Sequence, residues 1–122
     1  RLVTGVQTCA LPISGLIMLS EAYYTFFASK VPDRFIDMAK AMGVDVNSLT
    51  KEERPMSFVK ALINLQRECN VLDLKMSSLG IKIEEIPALA ENARRTMGGL
   101  FVVDPYTLSL EETVEIMQNA YK

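Results

Sequence analysis

The chain has 122 residues, 49% of them hydrophobic and 23% charged, with a formal net charge of −2 and no histidine. That balance suits one globular segment able to bury roughly 65% of its unfolded surface, and the intermixed charges leave no footprint for nucleic acid or an anionic membrane. Without histidine, Ser-His and Cys-His catalysis and imidazole metal ligation are excluded within the chain.

The opening stretch, RLVTGVQTCALPIS, has neither the 3.6-residue period of a helix nor the alternation of a half-buried strand. Its apolar part is too short and broken for a secretory signal. From Gly15 the pattern turns helical. GLIMLSEAYYTFFASK sets Leu16, Leu19, Tyr23, Phe26 and Phe27 on one broad face, and Glu21 cuts its apolar run short of a membrane span. Pro32 and Asp33 open a second helix, in which Phe35, Met38, Ala39 and Met42 recur at i, i+3, i+4 and i+7. Gly43 stops it, since glycine enters the left-handed cap without a Cβ penalty.

After a loop, Thr50 and Glu53 have capping-box spacing, and Pro55 is expected at the first position of a restarted helix. There Phe58, Ala61, Leu62, Leu65 and Cys69 form the expected core stripe. NVLDLKMSSLGI reads as a short helical turn ending at Gly80. EEIPALAENARRTMGG comes next, with acids in its first turn and Arg94 and Arg95 near its end, which complements the helix dipole. Its buried stripe is Ile86, Ala90, Ala93 and Met97, and Gly98-Gly99 its stop. LFVVDPYTL is expected to be extended, because Pro105 disfavours helix at Asp104. Ser109 and Glu112 form a second capping box for a last helix with Leu110, Val114, Met117 and Tyr121 on its apolar face. The fold class read from these patterns is all-α, a bundle-like array of about five helices.

Little in this pattern carries chemistry. The pairs Glu52-Glu53, Glu84-Glu85 and Glu111-Glu112 each sit in the first turn of a predicted helix, where negative charge is favoured by a few tenths to about 1 kcal/mol. Adjacent helical positions also point apart, so these pairs read as structural. Met38, Met42, Met56, Met97 and Met117 fall on apolar stripes and read as packing, while Met76 and Met97 lie beside glycine-containing breaks. A phosphate-cradling glycine loop precedes a helix, whereas Gly98-Gly99 comes after one. Lys40, Lys60, Arg94 and Arg95 are scattered and read as a solvated face. Cys9 and Cys69 lack metal-like spacing and read as free thiols of a reducing, cytoplasmic compartment, with Cys69 inert for want of a histidine base.

Four stretches resemble a known family. DRFIDMAKAMGV, GIKIEEIPALAENARRTMGG and DPYTLSLEETVEIMQNAYK are similar, in this order, to segments of the carboxy-terminal helical domain of iron-containing alcohol dehydrogenases. GLIMLSEAYY resembles the stretch just after that family's His-Gly pair. In the last segment Asp104 stands where the family has Asn, and Tyr106 where it has Arg. The resemblance covers Gly15 to Lys122 and implies the C-terminal part of a dehydroquinate-synthase-like helical domain. It also implies a parent with an amino-terminal α/β domain that binds NAD(P), and an iron or zinc ion held by one Asp and three His. Such a metal polarises the oxygen of a small alcohol or aldehyde while nicotinamide exchanges hydride with the adjacent carbon.

No catalytic, cofactor-binding or metal-binding residue carries over. The family's last histidine would precede Gly15, where this sequence has CALPIS. The resemblance implies a cytoplasmic, homo-oligomeric parent without nucleic-acid or membrane partners, and an inactive scaffolding role for this segment. The turn from Met97 to Asp104 is expected near the parent's cleft. Residues 1–14 resemble translated sequencing-adapter sequence and are expected to be a non-native or disordered tail. The competing reading is a free-standing all-α protein-interaction module.

Overall fold

The computed structural model describes residues 5–122, with side chains from residue 13 onward. The reading of residues 1–14 as a foreign or disordered tail therefore falls partly outside the described residues. Among the described residues five α-helices succeed one another: α1 Gly5–Lys30, α2 Pro32–Ala41, α3 Glu53–Glu68, α4 Ile86–Phe101 and α5 Leu110–Ala120. Single 3-10 turns stand at Val46–Ser48, Ser77–Leu79 and Ile83–Glu85. There is no strand among the described residues, and the expected all-α array is borne out.

The first helix starts at Gly5, not at Gly15 where its period begins. Once a helix is nucleated, each further residue fixed adds one backbone hydrogen bond. The helix thus extends back through aperiodic sequence, and through Pro12, which has no N–H for the ladder. Phe27 and Ala28 are buried and Tyr23, Tyr24 and Phe26 pack around them, but Leu16 is 70% exposed. Leu16 is aligned with Phe27 along the axis, yet it lies three turns earlier, where none of these helices covers it.

Pro32 opens α2 at a position whose N–H has no helical acceptor, and Gly43 leaves it with φ of +84°. Phe35 and Ala39 are buried, whereas Met42 ends the stripe 40% exposed. The α3 helix begins at Glu53, so Pro55 is third in it rather than first. The first N–H groups of a helix lack internal partners, and proline forfeits nothing there.

The buried line of α3 runs through Phe58, Val59 and Gln66, not through Leu65 and Cys69, both of which are exposed. Gln66 can turn inward because its amide donates to the Ser20 hydroxyl on α1 at 2.7 Å. The same rotation occurs in α5. Thr113, Ile116 and Ala120 are buried, Val114, Met117 and Tyr121 are half-buried, and Leu110 is exposed. Thr113 satisfies its hydroxyl on the Ser109 carbonyl at 2.8 Å.

Within α4, Ile86 and Ala90 are buried, but Met97 is 53% exposed and leaves helical geometry with φ −123° and ψ 24°. The helix resumes beyond it, so Gly98-Gly99 lies inside the final turn and is no stop. Leu100 and Phe101 are helical and turns come after them, in place of the expected extended segment.

Packing organises these helices around α1, which contacts α2, α3 and α5, while α2 pairs with α3 and α4 with α5. Tyr24, Phe35 and Phe58 meet edge-to-face with ring centroids 5.4–5.9 Å apart, the geometry that ring quadrupoles prefer. The far end is tied to the turn before α4. Ser77 N–H donates to the Lys122 carbonyl at 3.0 Å, and the Tyr121 hydroxyl donates to the Ile81 carbonyl at 3.1 Å. Gly80 ends the short turn there, as expected, with φ of +80°.

Candidate functional site

Each carboxylate pair places one member in hydrogen bonds at a helix start. Glu53 accepts from the Thr50 N–H and hydroxyl at 3.0 and 2.8 Å, and Glu85 from the Lys82 N–H at 2.7 Å. Glu112 accepts from the Ser109 N–H at 2.9 Å and from the Tyr106 hydroxyl at 2.8 Å, while Ser109 Oγ accepts from the Glu112 N–H. The Ser109–Glu112 capping box is thus formed as expected. The Thr50 N–H, then its hydroxyl, lowers the Glu53 carboxyl below its ordinary range, and the Ser109 N–H followed by the Tyr106 hydroxyl does the same for Glu112. Both carboxylates accept hydrogen bonds at helix starts, and no pair converges on a common point.

Of the methionines, Met76 is buried and Met38, Met56 and Met117 are half-buried, whereas Met42 and Met97 turn outward against expectation. Lys40 pairs loosely with Asp37 at 3.7 Å, Lys60 is exposed, and Arg95 donates to Asn92 at 3.0 Å. Arg94 departs from the expected solvated face. It is half-buried, donates to the Leu108 carbonyl at 2.7 Å and lies 5.1 Å from the Phe101 ring centroid.

Polar side chains gather instead where α1 meets the turn after α4. The Tyr23 hydroxyl donates to Asp104 Oδ1 at 3.0 Å, joining residues far apart in sequence. Burial, aided by the hydrogen bond to Asp104 and its charge, pushes the Tyr23 phenol well above its ordinary value. Lys30 stands 5.3 and 4.9 Å from the ring centroids of Phe26 and Tyr106. Sequence reasoning missed this cluster, because no local spacing links Tyr23 to Asp104. The proline after Asp104 and the cap three residues before Glu112 were its only signals.

A second feature is an open groove of about 380 Å³ between α1 and α5, lined by Met18, Glu21, Thr25, Phe26, Glu115 and Lys122 among others. Lys122 pairs with Glu21 across it at 3.5 Å, and both are half exposed to water. The groove offers charge and apolar surface.

The metal and nucleotide implied by the resemblance do not fit the residues of this chain. Histidine is absent from the sequence, and among the described residues no group of three His, Cys, Asp or Glu comes together. Gly98 and Gly99 lie in the last turn of a helix instead of opening one toward a phosphate. No helix among the described residues is long and apolar enough to cross a membrane.

Residues 13–121 match the profile described as Fe-containing alcohol dehydrogenase family, C-terminal. The chain is also 31% identical over 91 residues to the lactaldehyde reductase of Escherichia coli strain K12, and equally to that of Escherichia coli O157:H7. Each alignment takes in 73% of this chain and 22% of the relative, so the chain spans about a fifth of the length of these curated relatives. No solved structure matches it.

Proposed function

The chain belongs to the iron-containing alcohol dehydrogenase family, as part of its C-terminal domain, and from that premise we propose that it is the helical scaffold of an NAD(P)-dependent alcohol–aldehyde oxidoreductase. The observation that carries this reading is the profile match over nearly the whole described chain. The similarity to lactaldehyde reductases supports a small, hydroxylated aldehyde or alcohol as the parent's substrate. No comparable observation supports a free-standing interaction module.

In the parent, a divalent iron or zinc ion would polarise the alcohol or carbonyl oxygen and nicotinamide would carry the hydride. The residues of this segment supply neither. Their contribution is a packed wall, with α1 clamped between α3 and α5 and the turn after α4 pinned to α1 by Tyr23 and Asp104. On this reading the 122-residue chain is inactive by itself, the parent is a cytoplasmic homo-oligomer, and residues 1–14 are foreign to it. The family match begins at residue 13, so it leaves residues 1–12 outside and takes in Ile13 and Ser14.

Genomic sequencing through the codon for Gly15 tests the reading. The expected result is a continuous frame that encodes histidines and a glycine-rich nucleotide loop upstream, whose product reduces lactaldehyde with NADH or NADPH. A frame without those elements, or a metal-loaded product inactive on every small alcohol and aldehyde tried, overturns it.

A further inference from the structure

We propose that residues 98–104 form a strap, hinged at Met97-Gly98-Gly99 and latched to α1 by the hydrogen bond from Tyr23 to Asp104. The hinge is visible in the backbone. Met97 is non-helical inside α4, with φ −123° and ψ 24°, and the two glycines after it have open space where a Cβ would stand. Glycine pairs are sites where helices bend, because neither residue restrains the backbone with a side chain. Upstream, α4 is anchored by the buried Ile86 and Ala90; downstream, the chain is held by Tyr106 against Phe26 and Phe27 and by the buried Leu108.

Between these anchors the strap has few attachments. Leu100, Val102 and Val103 are 59%, 80% and 78% exposed, and only Phe101 packs against the core. Asp104 is its polar pin. Segments with few buried apolar contacts open at lower free energy than the elements around them, so one hydrogen bond weighs heavily here. The strap would carry its apolar edge as a unit when the pin lets go.

Hydrogen exchange on the 122-residue chain separates a latch from an ordinary structural contact. Tyr23→Phe removes only the hydroxyl and leaves the ring on Phe27 and Tyr24. It should speed exchange at residues 98–104 about tenfold, with Ile86–Thr96 and α5 unchanged. Asp104→Ala should do the same, while Asp104→Asn, which keeps an acceptor oxygen, should stay close to the unmodified chain. Gly98→Ala with Gly99→Ala should slow exchange in the strap by stiffening the hinge. Unchanged exchange in Y23F and D104A, an equal rise along the whole chain, or D104N behaving like D104A overturns the proposal.

Discussion

Gln66 on α3 gives its side-chain amide proton to Ser20 on α1 at 2.7 Å, and Ser20 gives its own to the Ile17 carbonyl at 2.7 Å. A buried polar side chain is tolerated only when so partnered, and this one lets α3 present a mixed face to the core. Gln66→Ala removes the bond and some packing, and should destabilise the chain by about 1–3 kcal/mol in urea unfolding. A change below about 0.5 kcal/mol would place Gln66 outside the core.

The apolar positions of α1 are unequal. Phe27 is 1% exposed and packs against Tyr23, Phe26 and Tyr106, so Phe27→Ala should cost about 3–5 kcal/mol, a large share of a small domain's stability. Leu16→Ala should shift the same unfolding midpoint by no more than about 0.5 kcal/mol, despite lying on the same helical line. Equal losses would mean that α1 is buried along its whole length.

Glu53 and Glu112 both ionise more readily in the folded chain than at their ordinary value of 4.5. Their carboxylates therefore favour folding above that value, and the contribution disappears as pH falls through their lower folded values. Tm should decline as pH drops below about 4.5, and the double variant Glu53→Gln, Glu112→Gln should show a shallower decline over the same window. Parallel Tm profiles for the two proteins would remove these caps as the cause.

Two glycines should respond oppositely to alanine. At Gly43, φ of +84° strains any L side chain although space is open, so Gly43→Ala should cost about 1–2 kcal/mol. Gly98 has no positive φ and no crowding, so Gly98→Ala should be neutral or stabilising by up to about 1 kcal/mol. Thermal melts of the two variants give the comparison directly, and a destabilised Gly98→Ala would point to crowding that the geometry does not show.

Elemental analysis of the purified 122-residue chain should find less than stoichiometric iron and zinc, and absorbance at 340 nm should reveal no alcohol-dependent reduction of NAD+ or NADP+. Donor chemistry is the reason: with no histidine in the sequence and no three-carboxylate or thiolate cluster among the described residues, a divalent ion has no cage here. A tightly held metal would require a site of different composition.

Helix termini were the most legible part of the fold, because their signals are local. Pro32, Gly43, Gly80 and the Ser109–Glu112 box act within a turn of the end they define. Faces were less legible. Counting apolar residues favoured Leu65 with Cys69 and Leu110 with Val114, whereas the core admits Gln66 and Thr113 because each finds an acceptor or donor partner. A pattern of apolar and polar letters cannot register that satisfaction. Gly98-Gly99 misled for a similar reason: a glycine pair permits a stop but also permits a bend, and the packing of Phe101 on the core drew the chain onward. The pairing of Tyr23 with Asp104 had no local signature, since its partners meet only after α1 and α4 have been placed. The family resemblance reached further than any single residue, through the order of its motifs.

The pairing of α1 with α5 also sets a schedule for synthesis. On the ribosome α1 emerges well before α5, and at about 5–20 residues per second the interval between Tyr23 and its contact at Asp104 is about 4–16 s. For that time one flank of α1 has no native cover, while α2 and α3 are free to close over the other as soon as they appear. Until Tyr106 is made, Phe26 and Phe27 lack their native ring contacts with it. Expression yield should therefore depend on chaperone supply and temperature more steeply than the finished fold's stability would suggest.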